Sequence, residues 1–148
     1  MIQNKALEKM KKYCAYQERC QSEVRQKLHG IGLNNDEIEN ILCNLIEQNF
    51  INEERFAKTF ARGKFCHKKW GKIKIKQHLK QKQISDYCIQ TGLQEIDTES
   101  YIITLDFILS KKEKLLVDEN NFTKKQKLAK YAITKGYEND LVWETLGN

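Results

Sequence analysis

Three stretches of the chain share one ladder of apolar positions, with steps of four and five residues between them. The first ladder consists of Val24, Leu28, Leu33, Ile38, Leu42 and Leu45. The second runs from Ile75 to Ile96 with the same steps, and the third from Leu128 to Leu146. Steps of four keep side chains on one face of a helix, and the two central steps of five straddle a turn. Each ladder therefore predicts a helix, a tight turn and a second helix, and successive ladders begin 51 and 53 residues apart.

Turn and capping signals fall where the ladders predict them. Gly32, Gln83 and Gly136 stand at equivalent positions, just before the apolar residue of each turn. Glycine at this point suits a left-handed residue that ends the first helix, whereas glutamine must adopt the same conformation with strain or use another cap. Short polar residues that accept hydrogen bonds precede several of the predicted helices. The N-caps predicted in this way are Asn35, Asn52, Ser85, Asp97 and Asn139.

A further amphipathic segment lies ahead of each ladder, so the repeating unit is predicted to contain three helices. We therefore expect an all-α protein, a tandem array of three three-helix, helix-turn-helix-like repeats that forms an elongated, curved solenoid. The repeats are predicted to occupy residues 1–51, 52–96 and 97–148. The composition agrees, because the 148 residues include no proline and only seven glycines. Lys72–Lys76 alternates like a strand, but Ile75 lies on a ladder and favours a helix.

Basic residues are concentrated in the second predicted repeat. Between Lys58 and Lys82 the chain has ten lysines and arginines and no acidic residue, although the net charge of the whole protein is only +6. Phe60, Phe65 and Trp70 are interleaved with these charges. Such a segment can neutralise phosphates and offer rings for stacking, or it can dock on an acidic protein surface. A solvated helical face is the third interpretation, although such faces usually mix both signs of charge.

The sequence lacks the motifs of catalysis, metal binding and membrane insertion. It contains no Gly-x-Ser-x-Gly, no glycine-rich phosphate loop and no His-Glu-x-x-His. Its five cysteines include no Cys-x-x-Cys pair, which argues against a disulfide framework and a structural zinc site. No stretch approaches the roughly 18 apolar residues that cross a membrane. We expect a cytoplasmic protein that is not an enzyme and holds neither a metal nor a cofactor.

The order and spacing of several short motifs resemble the RecX family. Asn52–Ala57 reads Asn-Glu-Glu-Arg-Phe-Ala and opens the second repeat, and Gly71 and the first apolar pair of the second ladder follow it. Arg19–Val24 resembles the Arg-Ser-x-x-Glu-Leu element of that family, with a cysteine in place of the serine and a valine in place of the leucine. Asn49 and Gln83 are departures from glycine. The resemblance covers nearly the whole chain.

This resemblance implies a regulator of the RecA recombinase. Such a protein would bind the RecA filament on single-stranded DNA, lie in its helical groove and suppress filament growth, ATP hydrolysis and strand exchange. The concave face of a curved array could follow a helical filament, and the basic segment could reach acidic RecA surface or the enclosed DNA. We therefore expect a monomer whose partner is the RecA filament, with single-stranded DNA as a further contact.

The basic segment supplies most of the residues predicted to face the partner. They are Arg55, Arg62, Lys64, Lys68, Lys69, Trp70, Lys72, Lys74 and Lys76. Arg55 contacts the partner or organises the start of the second repeat, or else it pairs with a glutamate near the start of its helix. Trp70 either anchors an interface or covers the joint between two helices. A sequence-nonspecific nucleic-acid-binding helical module is the alternative function, and it would need no recombinase. A structural scaffold has only the generic repeat architecture in its favour.

Overall fold

The computed structural model describes residues 2–117 and 119–147, and within these ranges it contains helices and turns but no strand. The helices are α1 (Ile2–Tyr16), α2 (Gln21–Ile31), α3 (Asn35–Glu47), α4 (Glu53–Lys68), α5 (Lys72–Gln81), α6 (Asp86–Leu93), α7 (Thr98–Glu113), α8 (Asn121–Thr134) and α9 (Asn139–Thr145). The prediction of an all-α repeat protein is confirmed, and Lys72–Lys76 is helical. We refer to α1–α3, α4–α6 and α7–α9 as units 1, 2 and 3.

The array exposes more surface than a typical folded monomer of its mass. Its accessible surface is 9343 Å², whereas a compact monomer of the same mass exposes about 7,900 Å². Small units placed in a row produce this excess, because each unit is covered only by its neighbours. Among the helices of the described ranges, none is both long enough and apolar enough to cross a membrane.

A left-handed residue ends the first helix of each ladder. Gly32, Gln83 and Gly136 have φ angles of +99°, +64° and +105°, which confirms the prediction made for these three positions. The amide of the next residue then donates to a carbonyl oxygen five positions back. These bonds run from Leu33 to Leu28, from Ile84 to Leu79 and from Tyr137 to Ala132. The repeats therefore share the turn itself as well as the apolar pattern, and only Gln83 adopts it with the strain of a side chain.

The helix starts follow the predicted caps with two corrections. Three predicted caps, each of which accepts a hydrogen bond from the amide three positions on, are confirmed: Asn52, Ser85 and Asp97. The prediction of Asn35 is wrong by one residue, because Asn34 and Glu37 exchange side-chain hydrogen bonds in a capping box and Asn35 is already helical. The prediction of Asn139 is also wrong, since α9 begins at Asn139 and Glu138 precedes it.

The buried apolar side chains form two cores. Unit 1 encloses one of them, and units 2 and 3 share the other. Cys20, which precedes α2 and is fully buried, is the contribution of unit 1 to the second core. Because apolar burial is the main favourable contribution to folding, units 2 and 3 form one packed body to which unit 1 is attached.

The backbones of units 2 and 3 meet at two glycines. The Gly71 amide donates to the Lys135 carbonyl oxygen at 2.8 Å, and the Ile73 amide donates to the Gly136 carbonyl oxygen at 2.9 Å. A Cβ atom on Gly71 would lie only 2.2 Å from the carbonyl carbon of Gly136. This approach is closer than any side chain allows, so the joint between the units requires glycine at position 71.

Two buried tyrosines fasten the same joint. The ring centroids of Tyr101 and Tyr137 are 5.0 Å apart, and the Tyr137 hydroxyl donates to the Lys69 carbonyl oxygen at 2.9 Å. The Tyr101 hydroxyl accepts from the Lys72 amide at 2.9 Å and donates to the Glu138 carboxylate at 2.5 Å. Burial and the bond to Glu138 raise the pKa of Tyr101, so its hydroxyl keeps the proton that it donates.

Unit 1 is joined to unit 2 largely through polar contacts. The Gln21 amide donates to the Glu53 carboxylate at 3.0 Å, and the Lys82 ammonium pairs with the Glu23 carboxylate at 2.9 Å. Burial, together with the nearby charge of Glu23, raises the pKa of Glu53, although its bond to Gln21 acts in the opposite direction. The joint between units 1 and 2 thus differs from the joint between units 2 and 3, which is formed by backbone contact and aromatic rings.

Candidate functional site

The basic segment covers α4 from Lys58 onward, α5 and the turn between them. Of its ten lysines and arginines, Arg62 and Lys82 are the members that form ion pairs within the described residues. Arg62 pairs with Glu95 at 2.7 Å, and this pair connects α4 to the turn that follows α6. The other charges of the segment lack an acidic partner within ion-pairing distance in the same ranges. Eight of the ten basic residues of the segment are therefore not ion-paired within the described residues.

Aromatic rings and lysines come together on one side of unit 2. The Trp70 ring lies edge-on to Phe60, with centroids 6.5 Å apart, and 4.5 Å from the centroid of His78. The Lys64 ammonium lies 5.0 Å from the Trp70 centroid and 5.5 Å from the Phe60 centroid, and the Lys74 ammonium lies 4.6 Å from the Trp70 centroid. What we call the aromatic–lysine surface consists of Phe60, Lys64, Trp70, Lys74, His78 and Lys82.

The lysines of this surface lower the pKa of His78. Burial lowers the pKa of His78, and the charges of Lys74, Lys64 and Lys82 lower it further, because a fourth positive charge there would be repelled. Trp70 is half-buried and packs against the core of units 2 and 3, so its position is fixed by the fold. The aromatic–lysine surface consequently holds the Lys64 and Lys74 ammonium groups beside aromatic faces, while its third lysine, Lys82, is paired with Glu23.

The other predicted lysines lie elsewhere. Lys72 and Lys76 are on the opposite side of α5, where they line an open cavity of about 330 Å³. Lys68 is exposed at the last residue of α4. Lys69 ends that helix in the left-handed region, and its ammonium donates to the Cys66 carbonyl oxygen at 2.8 Å. Of the nine predicted residues, the structure brings Lys64, Trp70 and Lys74 together.

Arg55 forms its bonds within its own chain. Its Nε donates to the Glu18 carboxylate at 2.6 Å, and its Nη2 donates to the carbonyl oxygens of Asn49 at 3.0 Å and Phe50 at 3.4 Å. Glu18 lies in unit 1, between α1 and α2, so the ion pair crosses the joint between units 1 and 2. The guanidinium thus organises this joint, and its acidic partner is distant in sequence from the helix that carries Arg55.

The predicted site did not include Phe60, His78 and Lys82. Phe60 lies on the apolar face of α4, a position typical of core residues, and histidines in polar surroundings are usually only surface residues. Helical spacing in the sequence could have identified these three residues. Lys64 follows Phe60 by four positions, and Lys74, His78 and Lys82 are four positions apart, so these residues share helix faces with members of the predicted set.

We expect His78 to be neutral at pH 7, with an NMR titration midpoint below its ordinary value of 6.5. Replacing two of the repelling charges in Lys64→Gln/Lys74→Gln should raise the midpoint, whereas Lys9→Gln/Lys12→Gln, an equal charge change at exposed positions of α1, should leave it in place. Because the unfolded chain binds the proton more tightly, this group's contribution to stability is present above pH 6.5 and is lost as the pH falls below it. A midpoint at or above 6.5 would contradict the assignment.

Comparison with known proteins points to one family. A family model described as "RecX, second three-helix domain" matches residues 52–93, which contain α4–α6. The chain is 32% identical over 138 residues to the regulatory protein RecX of Streptococcus uberis, covering 92% of this chain and 52% of that protein. It is 28% identical over 142 residues to the regulatory protein RecX of Prosthecochloris aestuarii, covering 96% and 91%. The chain thus spans about half the length of the first relative.

Solved structures agree with this match. A crystal structure of regulatory protein RecX superimposes with a TM-score of 0.88 at 27% sequence identity, covering 98% of this chain and 71% of that chain. The crystal structure of RecX from Lactobacillus salivarius also gives a TM-score of 0.88, at 23% identity, covering 98% and 94%. At this lower identity the second match is evidence for the fold alone. Both structures support the tandem three-helix architecture over nearly the whole chain.

Proposed function

The chain belongs to the RecX family of regulatory proteins, and we propose that it is a non-enzymatic regulator of the RecA recombinase. It binds the RecA filament on single-stranded DNA and inhibits the growth of the filament, its ATP hydrolysis and strand exchange. By these means it modulates recombination and DNA repair in the cytoplasm.

The observation that carries this proposal is the aromatic–lysine surface of unit 2. Lys64 and Lys74 present ammonium groups that have no carboxylate within ion-pairing distance in the described residues, beside the half-buried ring of Trp70. A partner that is acidic on its surface, or that carries phosphates, gains attraction there without first breaking an ion pair of this chain. Both kinds of group are available in a protein filament assembled on DNA.

The fastened joint between units 2 and 3 supports the same proposal. Contacts at several points along a filament are strongest when their spacing is fixed beforehand, because less conformational freedom is lost on binding. The Gly71–Gly136 contact and the Tyr101–Tyr137 pair hold the two units in one arrangement. This body can therefore engage more than one position of a repeating partner at once, which would hinder addition of further subunits.

A sequence-nonspecific nucleic-acid-binding module is the second candidate function. It is favoured by the same rings and lysines, since aromatic faces beside cations suit a single strand as well as a filament. The two candidates differ in how binding responds to RecA and to salt. Binding to DNA alone weakens steeply with salt, with a log–log slope near −0.7 for each phosphate contacted on a single strand. A filament regulator binds far more tightly when RecA is present.

The proposal predicts that substoichiometric protein inhibits single-stranded-DNA-dependent ATP hydrolysis by RecA from the same organism. The variant Lys64→Gln/Lys74→Gln should require about tenfold more protein for half-inhibition, because loss of two charge contacts worth about 0.7 kcal/mol each weakens binding by that factor. The control Lys9→Gln/Lys12→Gln has the same net charge and should inhibit like the unaltered protein.

The alternatives to this result are distinct. Inhibition only at excess protein, matched by an unrelated basic protein, would support the nucleic-acid-binding module. No inhibition at any concentration would overturn the assignment to RecA. Equal weakening by both double variants would show that overall charge, and not the aromatic–lysine surface, governs the effect.

A further inference from the structure

Helix α7, the first helix of unit 3, is apolar on both of its sides. One side packs into the core that units 2 and 3 share, and its buried residues are Tyr101, Leu105, Ile108 and Leu109. The other side carries Ile103 and Phe107, which are 60% and 54% exposed. A surface helix usually has a single apolar side, because only that side is covered. The outer side of α7 therefore presents apolar surface that nothing in the described part of the chain covers.

The exposed residues of α7 follow the spacing of a seam between two helices. What we call the α7 seam consists of Ser100, Ile103, Phe107, Ser110 and Lys114, all of which are exposed. Successive members are three, four, three and four residues apart. This spacing averages 3.5 residues and keeps side chains turned toward a second helix along the whole length of a contact. The outer side of α7 thus has the pattern of a helix that packs against a partner helix.

The α7 seam matches a second copy of itself that runs in the opposite direction. About its midpoint at Leu105, Ile103 mirrors Phe107 and Ser100 mirrors Ser110. In an antiparallel pair, a large apolar side chain therefore meets another one at the centre, and small serines lie opposite each other on both sides of it. A two-fold axis requires such self-complementarity, because the same patch of both subunits forms the interface.

The charges of α7 favour the same antiparallel arrangement. From Asp97 to Asp106 the chain has three acidic residues and no basic one, whereas Lys111–Lys114 comprises three lysines and one glutamate. The ion pairs found in the described residues include none of these charges. Glu99 and Lys111 lie at equal distances from the midpoint of the seam. An antiparallel pair therefore sets the acidic half of each helix against the basic half of the other.

We propose that two copies of this protein associate through the α7 seam, as antiparallel helices related by a two-fold axis. Ile103 of each copy packs against Phe107 of the other, and Glu99 pairs with Lys111 across the interface. A single pair of short helices makes a small interface of the weak, transient class. The monomer expected from the sequence is then the state at low concentration. The inference goes beyond the proposed function and does not depend on it.

The symmetry of the seam favours a second copy over other occupants. A membrane surface is negatively charged and attracts lysines, but it would repel the acidic half of α7. A helix of an unrelated protein would gain from exposed apolar residues, but it places no requirement on the seam to mirror itself. Only a second copy makes use of the apolar centre, the flanking serines and the opposed charges together.

Sedimentation equilibrium of the full chain tests the association, at concentrations from the low micromolar to the near-millimolar range. A reducing agent is present, because the exposed thiols of Cys43 and Cys66 would otherwise link copies by disulfides. The data should fit a reversible equilibrium between monomer and dimer. A single 17.5 kDa species at every concentration would overturn the inference. Growth into ever larger species would overturn the two-fold arrangement, since a two-fold interface closes at two copies.

Phe107→Ser tests the apolar centre of the seam. Because the two-fold axis places this ring in the interface twice, its loss should raise the dissociation constant of the dimer at least about tenfold. The control Tyr87→Ser removes a ring on α6 that is 71% exposed and outside the seam, and it should dimerise as the unaltered protein does. Circular dichroism confirms that both variants are folded. A dimer unaffected by Phe107→Ser would place the interface elsewhere and overturn the inference.

A pair of charge reversals tests the antiparallel register. Glu99→Lys and Lys111→Glu should each weaken self-association, because like charges then meet at two symmetric places in the interface. An equimolar mixture of the two variants should associate again, since each supplies the charge that the other needs at both places. Glu99→Lys mixed with Lys9→Glu, a reversal of equal charge on α1, should not recover. A mixture of the two seam variants that associates no better than either alone would overturn the antiparallel arrangement.

Discussion

Gly71→Ala is expected to lower the free energy of unfolding by about 3–5 kcal/mol, measured by urea denaturation followed by circular dichroism at 222 nm. The added Cβ would lie 2.2–2.4 Å from three backbone atoms of Gly136 and Tyr137. Backbone cannot rotate aside as a flexible side chain can, so the two units must separate. Their separation weakens the hydrogen bonds from Gly71 to Lys135 and from Ile73 to Gly136, which adds to the cost of overpacking.

Gly63→Ala is the matched control for this substitution. Gly63 lies inside α4, and a Cβ atom there would have no neighbouring atom within 4 Å. Alanine favours a helix over glycine by about 0.5–1 kcal/mol, so this variant should be slightly more stable than the unaltered protein. A loss of less than about 1 kcal/mol in Gly71→Ala would mean that the joint yields easily, and that units 2 and 3 are not held as one body.

The turns of the fold were predictable because they depend on local rules. A helix that ends in a left-handed residue is recognised from a few neighbouring positions, and the ladders align these positions across the three repeats. Asn49 and Gln83, both departures from glycine in the sequence, adopt φ angles of +62° and +64°. Both residues adopt the left-handed conformation because the surrounding repeat determines the backbone there, and their side chains make that conformation strained. The errors at Asn35 and Asn139 are of one residue. At α3 the neighbouring Asn34 is the cap, whereas α9 begins after Glu138 without a side-chain cap, because the Glu138 carboxylate is bonded to Tyr101.

The candidate site was predictable only in part, because its arrangement depends on contacts between distant residues. The basic segment indicated where charge would be concentrated, but α5 divides that charge between two sides. Arg62 is paired with Glu95, 33 residues away, and Lys74 meets Lys135 across a joint between units. Periodicity within one segment carries no information about such pairs. Periodicity could indicate that the surface is positively charged, but not which of its lysines lack an acidic partner.

Arg55 lies at the joint between units 1 and 2 and forms hydrogen bonds across it. The sequence left three roles open: a contact with the partner, an organiser at the start of the second repeat, and an ion pair at the start of its own helix. The structure places three hydrogen bonds on its guanidinium, to Glu18 in unit 1 and to the carbonyl oxygens of Asn49 and Phe50. Glu18 depends on this partner, because its other carboxylate oxygen is buried without a hydrogen bond in the described part of the chain. Arg55 therefore positions unit 1, and we expect its replacement to act on partner binding only through that position.

Arg55→Ala is expected to lower the free energy of unfolding by about 2 kcal/mol, since a partly buried carboxylate and two carbonyl oxygens lose their donor. Arg55→Lys should recover less than half of this, because an ammonium group cannot reproduce the planar set of donors. The control Arg62→Ala removes an arginine whose side chain is 53% exposed, and its ion pair with Glu95 should contribute less than about 1 kcal/mol. Urea denaturation compares the three variants. Unchanged stability in Arg55→Ala, combined with weaker inhibition of RecA, would contradict the positioning role and make Arg55 a direct contact.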